Sequence, residues 1–222
     1  MMTENIRKTL EFTKNSFEQC PYFKENPADG AYRYEHSLRV AHIGGEIARR
    51  EGLDEEALII ACLLHDIAYS REIPPGGWNE HGRVGAAIAR PFLETLSLSL
   101  QAKADILYGI AIHVDDIADF EGERSVAALS VADADNIDRF GAFRIYDTMR
   151  YAGFYEMNLS EKLDWTRHRV SAVERLKEID FASKGAEKLW LEAIEYQSDY
   201  FTRLLRQLEQ SRSLTDIIRT RF

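Results

Sequence analysis

IIACLLHDIAY, residues 59–69, is an unbroken apolar run that ends at an adjacent imidazole and carboxylate, His65 and Asp66. The run is too short, and too closely flanked by charged residues, to span a membrane. It therefore predicts a buried helix that carries a buried carboxylate. An ionised carboxylate is rarely buried without a partner, because its desolvation costs several kcal/mol. We expect a cation, best a divalent metal, to stabilise Asp66.

The composition is that of one folded domain with room for an extension: the chain has 222 residues, of which 45% are hydrophobic and 29% are charged. A formal net charge of −9 argues against a broad nucleic-acid footprint. Two cysteines, Cys20 and Cys62, are too few for a disulfide framework. The N-terminus has no signal-peptide core and no long apolar segment follows, so we expect no membrane partner and a cytoplasmic location.

Apolar residues recur at three- and four-residue spacings along most of the chain, and neither strand alternation nor an Asn-Gly hairpin interrupts them. The predicted fold class is therefore all-α. Turn-rich loops are expected over residues 20–30 and at the Pro-Pro-Gly-Gly segment, residues 74–77. The predicted helix caps are Thr3, Asp54, Asn79 and Ser125, and further helices are predicted at residues 32–51 and 100–113.

A set of imidazoles and carboxylates lies on the apolar faces of five predicted helices. His36, for example, precedes Val40 by four residues, and Asp135 follows Val131 by four. Such a set suits one or two divalent metals (Mn, Fe, Ni, Co, Zn or Mg), and Asp66 could offer one oxygen to each of two. A metal with an open position would activate water as a nucleophile. The candidate ligands are His36, His65, Asp66, His81, His113 and Asp135.

A lone core-facing histidine is more often a structural residue with a hydrogen bond, but a whole set on apolar faces is harder to satisfy in that way. His42 and His168 are interpreted as surface residues or as supports behind the ligands. Of Asp133 and Asp138, which share a predicted helix with Asp135, one would orient a ligating imidazole. The acidic segment of residues 115–123 is interpreted as a solvated loop or as the rim of a pocket.

These residues resemble the signature of the HD superfamily of metal-dependent phosphohydrolases, in particular its small stand-alone bacterial members. The signature is a histidine on one helix, a His-Asp pair about thirty residues later and a distal aspartate. It is matched by His36 in YEHSLRVAHIGGEIA, by His65 and Asp66 in ACLLHDIAY, and by Asp135 in DADNIDRFGA. His81 in NEHGRVGAAIA and His113 in IAIHVDD resemble the extra histidines of the binuclear branch.

The resemblance implies an HD-domain helical bundle over residues 1–155, with the signature at 32–154. Residues 156–222, most of which lie outside the resemblance, are predicted from their helical pattern to form a C-terminal helical extension. That extension would pack on the core or join two chains as a homodimer. The core metal ligands would be His36, His65, Asp66 and Asp135; His81 and His113 would bind a second metal or the substrate phosphate, and Asp66, His81 and His113 would carry the catalysis. Ile67-Ala68-Tyr69 replaces the segment that often ends in a phosphate-binding lysine, which leaves Arg39, Arg71 and Arg144 as substitutes.

The expected function is hydrolysis of a small phosphorylated metabolite, a nucleotide or a related phosphoester, by metal-activated water. Two alternatives remain open at this point. One is an HD-type di-iron oxygenase, which would use the same ligand set. The other is a non-catalytic regulatory domain that binds a nucleotide through a retained metal, although such a binder has no need of open metal positions.

Overall fold

The structure is a computed structural model that describes residues 2–71 and 79–221, so the predicted loop at residues 74–77 lies outside the described residues. The described residues form α-helices and short 3-10 turns without any β-strand, which confirms the all-α prediction. None of the described helices combines the length and apolar character needed to cross a bilayer. The helices are α1 (Glu4–Gln19), α2 (Pro21–Glu25), α3 (Pro27–Glu51), α4 (Glu55–Leu64), α5 (His81–Leu93), α6 (Leu100–Ile112), α7 (Val126–Asp138), α8 (Ala142–Tyr151), α9 (Leu159–Arg175) and α10 (Lys184–Arg221).

The chain divides into two compact units. The first contains residues 1–138 and 181–186, and the second contains residues 139–180 and 187–222. The predicted boundary at residue 155 falls inside the second unit, so residues 139–155, expected in the helical core, group with the C-terminal helices.

Helix α4 is the centre of the first unit. It packs against α1, α3, α6 and α7, and the side chains of Ile60, Leu63 and Leu64 are fully buried. Asp54 caps the helix by accepting a hydrogen bond from the backbone N–H of Ala57, and acidic residues occupy the first turn, where the helix dipole favours them. Because α4 is enclosed on all these sides, whatever follows its last turn is delivered into the interior.

Helix α3 begins five residues earlier than predicted. The predicted turn-rich loop is wrong over residues 27–30, because Pro27 stands in the first turn of the helix, where a missing N–H costs nothing. Cys20 and Asn26 are the breaks that remain on either side of the short helix α2. Gly52 ends α3 in a left-handed conformation with φ of 67°, as its position predicts. Within this helix Arg33 lies one turn before His36.

The second unit has an aromatic core of its own. The ring of Trp165 lies 5.0 Å from that of Phe154 and 5.8 Å from that of Phe201. The indole N–H of Trp190 donates to the backbone oxygen of Leu176 over 2.8 Å. Trp190 and Phe201 are fully buried. These aromatic residues of the tail therefore serve as core residues.

Candidate metal centre

The six predicted ligands meet inside the first unit, at the ends or on the inner faces of its helices. His65 directly follows the last residue of α4, and His113 directly follows the last residue of α6. His81 opens α5. His36, His65, Asp66 and His113 are buried, whereas His81 and Asp135 are partly exposed. The centre is therefore largely closed, and His81 and Asp135 are its more exposed members.

One group of ligand atoms forms around one oxygen of Asp66. The Nε2 atoms of His36 and His65 are 3.3 Å apart. Asp66 Oδ2 lies 3.6 Å from the first and 3.5 Å from the second. Asp135 Oδ1 completes the group, 3.1 Å from His36 Nε2 and 3.8 Å from His65 Nε2. Four potential metal-ligand atoms from three parts of the chain thus lie close together.

A second group forms around the other oxygen of the same carboxylate. Asp66 Oδ1 lies 3.4 Å from His81 Nε2 and 3.9 Å from His113 Nε2. The ligand atoms of Asp66, His81 and His113 all lie within 4.8 Å of one another, as do those of His36, His65 and Asp66. Asp66 therefore stands between two histidine pairs with one oxygen facing each.

The hydrogen bonds of two rings, His65 and His113, leave their Nε2 atoms free of protons. His65 Nδ1 donates to the backbone oxygen of Cys62, and His113 Nδ1 donates to that of Ile110, both over 2.7 Å. A carbonyl oxygen can only accept, so in each neutral ring the proton is on Nδ1 and the lone pair is on Nε2. Both lone pairs point into the centre, which is the tautomer that a metal ligand requires.

A buried ligand atom without a hydrogen-bond partner also indicates that the site fits a divalent metal. The Nε2 atom of His113 is buried and has no hydrogen-bond partner among the described residues. A buried acceptor without a partner costs free energy, and a cation would remove that cost. Imidazoles with carboxylates suit Zn, Fe, Mn, Co and Ni. His36, His65, Asp66 and Asp135 could hold one ion, and Asp66, His81 and His113 could hold another.

A family model described as the HD domain matches residues 33–139, a range that contains all six of these residues. The chain contains an HD domain. The crystal structure of a predicted HD superfamily hydrolase from an uncultured Thermotogales bacterium has a similar fold, with a TM-score of 0.61 and 22% sequence identity over 91% of this chain and 92% of that chain. At this identity the similarity concerns the fold alone. No curated protein sequence matches the chain significantly.

The charges of the HD-domain centre favour the metal-binding forms of His65, His113 and Asp66, whereas His36 holds a proton near pH 7. Burial lowers the pKa of His65, and burial together with the neighbouring His65 lowers that of His113 to about 4, so both rings are neutral near pH 7. Burial opposes ionisation of Asp66, but the nearby His65, His81 and Arg33 hold its pKa well below the usual range. Burial would lower the pKa of His36, yet Asp135, Asp138 and Asp66 raise it to about 9. A cation at His36 therefore displaces a proton.

Asp138 is the carboxylate that orients His36. The ring of His36 donates from Nδ1 to Asp138 Oδ2 over 2.7 Å, and Arg39 holds the same carboxylate at 2.8 Å and 3.1 Å. Asp133, the other candidate, accepts a hydrogen bond from the backbone N–H of Ala182 over 3.0 Å instead. His42 and His168 are exposed, as surface residues are. Asp138 therefore sets the direction of the His36 lone pair.

Replacing Asp138 with Asn is expected to weaken metal binding by about 10- to 100-fold, because the partner behind a ligating imidazole fixes its orientation and basicity. Calorimetric titration with Mn²⁺ measures the effect. Asp133→Asn is the matched control, since it makes the same change on the same helix at a residue that bonds to Ala182. Equal Mn²⁺ affinities for the two variants would contradict the orienting role.

Arg33 is the residue of this centre that the sequence analysis missed. Its Nη1 atom lies 2.5 Å from Asp66 Oδ2. The predicted cations are engaged elsewhere or exposed: Arg39 pairs with Asp138, Arg144 pairs with Asp147 in the second unit, and Arg71 is exposed. The signal for Arg33 was its three-residue spacing from His36, which places both on one helical face. The predicted helix, which starts at residue 32, already contained this spacing, but spacing alone does not say which acid a long arginine side chain reaches.

Proposed function

We propose that the protein is a metal-dependent phosphohydrolase that acts on a small phosphorylated metabolite, a nucleotide or a related phosphoester. The observation that carries the proposal is the position of Asp66, whose two oxygens face two separate histidine pairs. Paired metal sites that share a carboxylate suit displacement at phosphorus, where an attacking and a departing oxygen must be stabilised together. The HD-domain match supports the same class of chemistry.

In this proposal His36, His65, Asp66 and Asp135 hold one divalent ion, and His81 and His113 hold a second ion or contact the substrate phosphate. The bound metal would supply Lewis acidity and lower the pKa of water toward neutrality. Asp138 keeps the His36 lone pair directed at the centre. Hydrolysis forms a bond between the water oxygen and phosphorus, breaks the ester P–O bond, and leaves a proton for the departing oxygen. The net charge of −9 favours small substrates over nucleic acid.

The test is a screen of nucleotides and simple phosphate mono- and diesters with protein loaded with Mn²⁺, Co²⁺, Ni²⁺ or Mg²⁺. We expect release of phosphate or of a nucleoside product that stops when a chelator removes the metal and resumes when the metal is restored. Protein that binds these metals at the expected residues and yet turns over none of the esters would contradict the proposal. Tight binding of a nucleotide without turnover would indicate the regulatory alternative instead.

A second candidate is a di-iron oxygenase. The observation in its favour is the same shared carboxylate, because a paired site of imidazole and carboxylate ligands also suits two irons. Experiments on protein prepared without oxygen distinguish the two candidate functions. Stoichiometric iron together with oxygen-dependent loss of substrate favours the oxygenase. Oxygen-independent hydrolysis with several divalent metals favours the phosphohydrolase.

A further inference from the structure

Arg33 is held at the candidate metal centre by two different contacts. Its guanidinium donates to Asp66 Oδ2 over 2.5 Å. The same guanidinium carbon lies 3.9 Å from the centre of the Tyr69 ring, a cation–π distance. About a quarter of the side chain, 25%, stays exposed. Arg33 thus lies at the boundary between the buried ligands and solvent, where an incoming substrate would meet it.

The partner of Arg33 is the carboxylate that both histidine pairs share. Arg33 contributes a positive charge that neutralises Asp66. Once Asp66 is engaged by a divalent ion, its negative charge is already compensated, and Arg33 faces a positive neighbour instead. The guanidinium then gains by contacting an anion, and Tyr69 can hold it close by while it does so.

The other arginines near the centre are less suited to this role. Arg39 makes two hydrogen bonds to Asp138, the carboxylate that orients His36. Arg83 pairs with Asp115 over 2.7 Å. To bind a substrate, either arginine would have to leave a carboxylate that no metal would then neutralise. Arg33, in contrast, pairs with Asp66, a predicted metal ligand whose charge a bound metal would neutralise. Arginine also matches phosphate geometry, because its planar fork can donate two parallel hydrogen bonds.

We propose that Arg33 binds the phosphate group of the substrate in the metal-loaded protein, in place of the lysine that the sequence lacks after Asp66. The proposal rests on the proposed function, since it names the residue that recognises the phosphoester. It makes Arg33 a substrate-binding residue that exchanges one partner, Asp66, for another, the substrate phosphate. The chemical class of ligand is a small molecule with a terminal phosphate.

The test uses inorganic phosphate as the probe and the full chain loaded with Mn²⁺. In Arg33→Met we expect phosphate affinity to fall by about 10- to 100-fold, the effect of losing a charged hydrogen-bond donor. Mn²⁺ affinity should be unchanged or higher, because Arg33 no longer competes for Asp66. Arg33→Lys keeps the charge but loses the planar guanidinium that can donate two parallel hydrogen bonds. Its phosphate affinity should lie between those of the wild type and Arg33→Met.

Arg49→Met is the matched control. It removes the same charge from the same helix, and Arg49 pairs with Glu46 and Glu55 at the exposed surface, about 24 Å farther along α3 at 1.5 Å per residue. Once the screen has identified an ester that the protein hydrolyses, the Michaelis constant for that ester should rise in Arg33→Met more than kcat falls, because the substitution removes ground-state binding. Arg49→Met should match the wild type in both constants.

Three outcomes overturn the proposal. Phosphate affinity of Arg33→Met equal to that of Arg49→Met means that Arg33 does not contact the anion. A loss of Mn²⁺ affinity in Arg33→Met means that Arg33 supports Asp66 as a ligand instead. No phosphate binding by the metal-loaded wild type excludes the subsite altogether. Failure of the proposed hydrolysis is distinguishable, because the wild type would then turn over no ester while phosphate binding still depended on Arg33.

Discussion

Asp66→Asn is expected to abolish divalent-metal binding. Under the proposed function it should also lower hydrolytic activity by about a thousandfold or more, since several kcal/mol of metal stabilisation disappear at about 1.4 kcal/mol per factor of ten. The reason is geometric. Asp66 Oδ2 belongs to the group with His36 and His65, and Asp66 Oδ1 belongs to the group with His81 and His113. One neutral amide therefore weakens both groups at once. Elemental analysis after gel filtration and the hydrolysis assay measure the two losses.

The substitution keeps the shape of the side chain, so it should leave the helical fold in place. Arg33 loses its charged partner but remains 25% exposed to solvent and stacked on Tyr69, which limits the cost. Circular dichroism and the unfolding midpoint check this point. Asp199→Asn is the control, because Asp199 is 60% exposed and pairs only locally with Arg203. Full metal content in a folded Asp66→Asn protein would show that the ligands are assigned wrongly.

Gly82→Ala is expected to destabilise the protein by about 1–3 kcal/mol, the usual effect of forcing extra volume into a tight contact, and to disrupt the pair formed by His81 and His113. A Cβ atom at Gly82 would lie 2.5 Å from the backbone oxygen of Ala111 and 2.9 Å from that of Ile110. Backbone atoms of α6 cannot move aside as a flexible side chain can. The oxygen of Ile110 is also the acceptor that holds the His113 ring.

The measurements are the free energy of unfolding and the amount of metal bound per chain. Gly45→Ala is the control, because a Cβ atom there would meet side-chain atoms of Ile59 at 3.2 Å, which can shift by a few tenths of an ångström. In a helix interior Ala is favoured over Gly by about 1 kcal/mol, which offsets that crowding, so the control should stay near wild-type stability. A Gly82→Ala protein as stable and as metal-rich as the control would contradict the close approach of α5 to α6.

Helical periodicity predicted the centre because its ligands sit on apolar faces, where spacing alone gives direction. His36 shares a face with Val40, and Asp135 shares one with Val131. In the structure His36 Nε2 lies 3.6 Å from Asp66 Oδ2 and 3.1 Å from Asp135 Oδ1. The choice of Asp135 over Asp133 for the ligand set followed from the same rule. A single buried carboxylate next to a histidine at the end of an apolar helix was the strongest signal, because a buried carboxylate needs a nearby cation to stabilise it.

Other features depend on contacts that spacing does not encode. The predicted cap at Asn79 is wrong, since α5 begins at His81 after Glu80 with no capping side chain, and Pro91 lies inside that helix, which runs two residues farther. The pairing of Arg33 with Asp66 joins residues 33 positions apart. A long arginine side chain can reach in several directions, so only the neighbouring helices decide which acid it meets. The same holds for Asp138, whose role depends on where α3 packs against α7.

The two carbonyls that hold His65 and His113 belong to the last turns of α4 and α6, where a helix leaves its backbone oxygens unpaired. Each ring sits three residues beyond its acceptor. Inserting or deleting one residue within either last turn would rotate the imidazole by about 100° around the helix axis, away from its acceptor and from Asp66. Insertions in the connecting loops carry no such penalty. Helix register, in addition to residue identity, is therefore what a designer who transplants this centre into another bundle has to preserve.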